Sequence, residues 1–219
     1  MPRRMAHTFA IAALKGGVGK TTIALNLGVC LHAAGKRVLL VDADAQGSLR
    51  KWATRAEATG NETPPVVALE GARLRKDLER VAASFEVAII DAPPQLGTEM
   101  RAAMLAADLV VIPCAPGATD VWSLEATLAV LEDARSLRPE LAARLLLNRA
   151  DRTTLAGAAR SALERSGVPT LANSLRARVA YGEATAAGQG VTNYAPQSEG
   201  AREVRRLTKE LLEVLRDGK

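Results

Sequence analysis

The stretch Lys15-Gly16-Gly17-Val18-Gly19-Lys20-Thr21-Thr22 decides the fold class of this sequence. It lies between an apolar, strand-like run that ends at Leu14 and a helix-like segment that begins near Thr21. Glycines let the backbone turn tightly, so that consecutive N–H groups point at phosphate oxygens, and the positive end of the following helix adds to the attraction. The order of strand, loop and helix favours a phosphate-binding loop over an ordinary glycine turn.

The residue types within this loop predict separate roles. Lys20 is expected to hold terminal phosphates, and the Thr21 hydroxyl is expected to complete the coordination of Mg²⁺. Leu14 stands where the strict Walker A pattern has its first glycine, and Lys15 follows it. A dinucleotide fingerprint fits less well, because Thr22 replaces its third glycine. The expected nucleotide-binding residues of the loop are Lys15, Gly16, Gly17, Val18, Gly19, Lys20, Thr21 and Thr22.

Carboxylates follow two further apolar runs. One run leads into Asp42-Ala43-Asp44-Ala45-Gln46-Gly47-Ser48, and the other leads into Asp91-Ala92-Pro93-Pro94-Gln95. Either aspartate alone could simply begin a turn, but ligand groups of open α/β sheets gather at the carboxyl ends of strands. Beside a phosphate loop, we expect Asp91 to hold magnesium through its water shell and Asp44 to orient or deprotonate the attacking water.

Apolar, β-branched runs alternate with longer helical patterns along the chain, which is typical of βαβ units. We predict one α/β domain over residues 1–219, with a mostly parallel central sheet and helices on both faces, of the P-loop NTPase type. The candidate strands are Phe9–Leu14, Arg37–Val41, Val66–Leu69, Val87–Ile90, Leu109–Ile112 and Leu145–Leu147. The candidate helices are Thr21–Ala34, Leu74–Ala83, Glu99–Ala106, Trp122–Leu137, Thr154–Ser166 and Ser198–Arg216.

Composition narrows the function classes. Of 219 residues, 48% are hydrophobic and 24% are charged, a balance that can bury a core and argues against a mainly disordered chain. No apolar run approaches the roughly 18 residues of a spanning helix, and the first residues lack the apolar core of a signal peptide, so we expect a cytoplasmic protein. With two cysteines and two histidines there is no recognisable zinc-ligand cluster, and 3% aromatic residues argue against a base-stacking platform.

These three motifs, in this order, make the sequence similar to the deviant-Walker (MinD/ParA) ATPases, specifically to the short ParA partition type. The resemblance covers nearly the whole chain. It implies ATP and Mg²⁺ as cofactors and a homodimer that sandwiches ATP, in which Lys15 reaches the partner's nucleotide, so that Lys15, Lys20 and Asp44 are the catalytic residues. It also suggests that Asn148 contacts adenine, although a turn residue is the alternative, and that Pro196 helps to close the base pocket.

The resemblance further implies binding to nonspecific double-stranded DNA and release when a ParB-like or other adaptor on a cargo stimulates hydrolysis. The protein would then be nucleoid-associated. Only seven residues precede Thr8, so we do not expect the N-terminal helix-turn-helix domain of the long family members. The net charge of +5 permits an anionic partner, and phosphate contacts need cations without base readout. The candidate DNA-binding residues are Arg149, Arg152, Arg176, Arg178, Arg202, Arg205, Arg206 and Lys209.

Two alternatives stay open at this point. A MinD-like membrane-surface ATPase would insert an amphipathic terminal helix, but the last helix has no Trp or Phe on its apolar face and membrane binding is not expected. A metabolic ATP-dependent enzyme on the same scaffold is the other possibility. An iron–sulfur cluster is not expected with only Cys30 and Cys114 available.

Overall fold

Six strands form the centre of the protein in this computed structural model, which describes residues 7–115, 118–150, 163–164 and 166–217. They lie in the order β3-β2-β4-β1-β5-β6, and every neighbouring pair is parallel. The prediction of a mostly parallel sheet is therefore confirmed. The strands are β1 (His7–Ile11), β2 (Val38–Asp42), β3 (Val66–Ala68), β4 (Val87–Asp91), β5 (Leu109–Cys114) and β6 (Ala142–Leu147).

Helices cover both faces of the sheet, as predicted. Helices α3, α4 and α5 pack on one face, whereas α1, α2, α6, α7 and α8 contribute to the core on the other. The described helices are α1 (Lys20–Ala33), α2 (Ser48–Ala58), α3 (Leu74–Val81), α4 (Thr98–Leu105), α5 (Ala118–Leu137), α6 (Val179–Ala186), α7 (Val191–Tyr194) and α8 (Glu199–Asp217).

Alternation within the strands divides the core into two clusters. In β1, Phe9 and Ile11 join the cluster under α1 and α8, whereas Ala10 joins the cluster under α3, α4 and α5. Because both faces are covered, β2 and β4 are buried along their whole length, which explains the four apolar residues that precede the final aspartate of each strand.

The structure corrects several predicted boundaries. Strand β1 ends at Ile11 instead of Leu14, because the Leu14 N–H donates to the Thr127 hydroxyl at 3.1 Å and has left the strand ladder. Helix α2 was not predicted, because it buries only Leu49, Trp52 and Ala56 in a polar segment. Helices α6 and α7 were also missed. Most of the predicted helix Thr154–Ser166 lies outside the described residues.

Helix α8 has the two faces that its sequence predicts. Val204, Leu207, Leu211 and Leu215 are buried against the sheet. The opposite face is exposed and basic, with Arg202, Arg205, Arg206, Lys209 and Arg216. The apolar face is therefore a part of the core, and the basic face is available to a partner.

A close backbone contact joins α2 to the loop after α6. Gly188 has φ +69°, and a Cβ there would lie 2.6 Å from the backbone N of Ala56. The Trp52 indole N–H donates to the Gln189 carbonyl at 3.3 Å beside this contact. Gly35 has a similar φ of +80° but open space around its missing Cβ.

Gly188→Ala should therefore destabilise the protein more than Gly35→Ala does. Both substitutions force alanine into the left-handed region, at about 1–2 kcal/mol, but only the first also overpacks a backbone contact, at about 1–3 kcal/mol more. Urea denaturation followed by tryptophan fluorescence measures both losses. Equal losses would show that α2 can move away from Gly188 without cost.

Candidate nucleotide and magnesium site

The glycine-rich loop runs from the end of β1 to the start of α1 in a conformation that needs glycine. Gly17 and Gly19 have φ +74° and +99°. A Cβ on Gly19 would come within 2.5 Å of the Asn148 side-chain nitrogen. That nitrogen donates to the Val18 carbonyl at 2.6 Å and so ties the loop to the end of β6. The loop therefore presents its backbone at the N-terminus of α1, where N–H groups and the helix dipole favour an anion.

The two lysines of the loop lie in different surroundings. Lys20 is buried, and its Nζ lies 3.4 Å from the Lys15 carbonyl oxygen. Burial lowers the pKa of Lys20, while Asp91 and Asp44 act in the opposite direction. Lys15 is half-buried. A partly desolvated cation beside a glycine-rich loop at a helix N-terminus suits a polyphosphate.

Thr21 and Asp91 meet across the carboxyl ends of the sheet. The Thr21 hydroxyl donates to Asp91 Oδ2 at 2.6 Å. Within the described part of the chain, the other oxygen, Oδ1, is buried and has no hydrogen-bond partner. Burial raises the pKa of Asp91 to about 7, with the neighbouring Asp42 adding to the shift. A hydroxyl beside an unsatisfied buried carboxylate oxygen is a donor set that fits Mg²⁺.

The loop after β2 carries Asp44 beside this pair. Asp42 lies directly opposite Asp91 in the strand register and is fully buried. Asp44 is half-buried, and its Oδ1 accepts the Gln46 N–H at 3.0 Å. Both residues are close enough to Asp91 to affect its pKa. The structure thus brings the three predicted motifs to one edge of the sheet.

The two residues predicted to surround the base occupy different positions. Asn148 is buried at the end of β6, and its side chain holds the phosphate loop, a role that the sequence did not predict. Pro196 is exposed between α7 and α8, and its carbonyl accepts an N–H of Arg205 at 2.8 Å. Adenine contacts of either residue remain predictions.

The candidate DNA-binding residues fall into two groups. Arg178 is engaged by Glu203, with distances of 3.1 and 2.6 Å, and Arg202 pairs with Glu199. The Arg178 guanidinium is thus held in a structural ion pair between α6 and α8. Arg152 lies outside the described residues. The remaining candidate DNA-binding residues, which have exposed side chains and belong to neither ion pair, are Arg149, Arg176, Arg205, Arg206 and Lys209.

Sequence reasoning missed one residue at the site and one that binds a candidate DNA-binding arginine. Arg50, in the first turn of α2, pairs with Asp42 at 3.3 Å. Glu203 is buried and accepts the Arg176 backbone N–H at 3.2 Å as well as the Arg178 contacts. An acidic residue on the apolar side of α8 could have drawn attention to Glu203 in the sequence, whereas Arg50 belongs to no recognised motif.

Comparison with known proteins agrees with this geometry. Residues 9–191 match the CobQ/CobB/MinD/ParA nucleotide binding domain family. The chain is 35% identical over 193 residues to the maintenance of carboxysome distribution protein A of Halothiobacillus neapolitanus, covering 87% of this chain and 89% of that protein. It is 32% identical over 245 residues to the chromosome-partitioning ATPase Soj of Thermus thermophilus, covering 97% and 98%.

A solved structure shows how widely the fold is shared. The cobyrinic acid a,c-diamide synthase of Mycobacterium smegmatis, with bound ADP and magnesium, superposes with a TM-score of 0.78 at 24% identity and covers 98% of this chain and 97% of that one. At this identity the likeness shows the fold alone.

The raised pKa of Asp91 predicts a pH dependence of stability in the absence of nucleotide and Mg²⁺. The folded state holds the proton up to about pH 7, whereas the unfolded chain releases it near 3.8, so the free energy of unfolding should fall as the pH rises between these values. Asp91→Asn has no titratable carboxyl at this position, so its free energy of unfolding lacks this pH dependence. From pH 5 to pH 7, the wild type should lose about 2–3 kcal/mol relative to Asp91→Asn in urea denaturation. Parallel pH profiles of stability for the wild type and Asp91→Asn would contradict the raised pKa of Asp91.

Proposed function

Since the chain belongs to the CobQ/CobB/MinD/ParA nucleotide binding domain family, we propose that it is a Mg²⁺-dependent ATPase that positions a cargo on nonspecific DNA. The observation that carries the proposal is the contact between Thr21 and Asp91 beside the buried Lys20, at the start of α1. Such a site can hold a triphosphate and a divalent cation together.

Each residue of the site has a role in this reaction. Backbone N–H groups of the loop and the Lys20 ammonium would bind the phosphates, and Thr21 and Asp91 would hold Mg²⁺, Asp91 through its water shell. When held there, the cation would supply positive charge that neutralises the phosphoryl oxygens. Asp44 orients the attacking water, and Lys15 contacts the nucleotide of the partner in a homodimer. ATP binding is thereby linked to dimerisation.

The relatives favour a positioning role over a metabolic one. The two named proteins are at least 32% identical to this chain, and their names describe carboxysome distribution and chromosome partitioning. The diamide synthase shares only the fold.

The exposed basic face of α8 is the proposed DNA surface. Arg205, Arg206 and Lys209 are exposed along it, and Arg149 and Arg176 add to the positive charge. A dimer would carry two such surfaces, and each neutralised phosphate contributes about −0.9 to the slope of log affinity against log salt. Binding as a dimer would therefore be much stronger than binding as a monomer. Release would follow hydrolysis stimulated by a ParB-like or other adaptor on the cargo, and the protein would be cytoplasmic and nucleoid-associated.

The structure disfavours the membrane alternative. Insertion of α8 would require its apolar face, but Leu207 and Leu211 are each about 1% exposed within the core. None of the described helices has the length and apolarity needed to cross a bilayer. Because the apolar face of α8 is held in the core, we expect sedimentation with plasmid DNA in the presence of ATP, and none with liposomes.

Three substitutions separate ATP-dependent DNA retention from hydrolysis. Lys20→Ala and Lys15→Ala should each abolish ATP-dependent retention on DNA, whereas Asp44→Ala should leave a dimer that binds DNA and hydrolyses ATP at least about tenfold more slowly. Analytical ultracentrifugation measures dimerisation, filter binding measures retention on DNA, and phosphate release measures hydrolysis. Normal turnover by Asp44→Ala would remove its assigned role.

Charge reversal on α8 tests the DNA surface. Arg206→Glu should weaken DNA binding and reduce the salt slope, since it removes a phosphate contact and adds repulsion. The control is Lys76→Glu on α3, an exposed position on the opposite face of the sheet, which should leave binding unchanged. Equal effects of the two changes would indicate that net charge, rather than the α8 surface, governs DNA binding.

A further inference from the structure

Arg50 closes the loop that carries Asp44. Its Nε lies 3.3 Å from Oδ2 of Asp42, the last residue of β2, and its backbone N–H donates to the same oxygen at 2.9 Å. The other oxygen of Asp42 accepts the Asp44 N–H at 3.2 Å. The buried Asp42 carboxylate is thus bonded to both the beginning and the end of the loop.

The guanidinium also spans the middle of this loop. Its Nη2 lies 3.5 Å from the Asp44 carbonyl oxygen and 3.3 Å from Glu70 Oε1, just beyond β3. A Cβ on Gly47 would come within 3.1 to 3.3 Å of three guanidinium atoms, so the group lies directly across Gly47. One side chain therefore bonds to three points around the loop, namely the Asp42 carboxylate, the Asp44 carbonyl and the Glu70 carboxylate.

The Asp44 carboxylate depends on this loop for its orientation. Its Oδ1 accepts the Gln46 N–H within the same turn, and the Gly47 N–H donates to the Asp44 carbonyl at 2.9 Å. If the turn opens, the carboxylate moves with it. The Arg50 side chain is 42% exposed, whereas its partner Asp42 is fully buried, so the loss of Arg50 would leave the Asp42 carboxylate held by backbone N–H groups of the loop alone.

We propose that Arg50 is a positioning residue for ATP hydrolysis, which fixes the turn in which Asp44 orients the attacking water. The inference rests on the proposed function. Arg50 acts through Asp42 and the Asp44 backbone and has no described contact with the phosphate loop. Its loss should therefore reduce turnover without weakening nucleotide binding, because a small misplacement of a water-orienting group is costly in rate.

Steady-state kinetics of Arg50→Ala and Arg50→Lys test this role. Arg50→Ala should lower kcat about 10- to 100-fold and leave KM for ATP within about twofold. Arg50→Lys should recover part of kcat, because it keeps the positive charge beside Asp42 but loses the planar fork. The matched control is Arg55→Ala, which removes an arginine of α2 that donates to the Ala186 carbonyl at 3.2 Å and should lose stability but not kcat.

Hydrogen–deuterium exchange of the ligand-free protein provides a readout independent of activity. Amides of residues 44–47 should exchange faster in Arg50→Ala than in wild type or Arg55→Ala. If the wild type is active and Arg50→Ala keeps the wild-type kcat, the proposal for Arg50 is overturned but the proposed function is not. Equal losses of kcat in Arg50→Ala and Arg55→Ala would have the same consequence. A wild type that hydrolyses no ATP would instead refute the proposed function and the positioning role of Arg50 with it.

Discussion

The parallel register of β1, β4 and β2 is the constraint on which the site depends. Ile11 lies opposite Asp91, and Asp91 lies opposite Asp42. Because the strands end together, the glycine-rich loop, the Asp44 turn and the Asp91 carboxylate lie at the same edge of the sheet. A slip of one residue would turn these side chains to the wrong face, and the buried apolar pattern on both sides of the sheet prevents it.

This edge concentrates charges that burial disfavours. Lys20, Asp42 and Asp91 are each less than 10% exposed, and Asp91 keeps an unsatisfied oxygen among the described residues. Buried charge of this kind contributes little to stability on its own and is commonly found where a ligand completes the site. Nucleotide and cation would supply the missing partners, so their binding should also stabilise the fold by mass action. The ATP-free and ATP-bound states would then differ in stability as well as in the surface that they expose.

The sequence predicts the parallel sheet, the phosphate loop, the carboxylates at strand ends and the two faces of α8, because each of these is encoded locally by glycine spacing or hydrophobic period. It could not predict what distant residues do to one another. Asn148 meets Val18 only after β6 is in place, Arg178 is held by Glu203 of another helix, and Arg50 carries no motif at all. Helix α2 escaped prediction for a related reason, since its few apolar residues become meaningful only against the loop at Gly188 and Gln189.

The order of the strands also has a consequence for synthesis on the ribosome. Strand β1 is made first, yet it pairs with β4 and β5, so it has no strand partner until residues 87–91 have been translated. Its Phe9 and Ile11 share a cluster with Leu207 and Leu211 of α8, which is made last. The nascent chain must therefore carry an apolar, unpaired strand until residues 87–91 are made, and a glycine loop without its Asn148 contact until β6 is complete, a period in which chaperones are the natural protection.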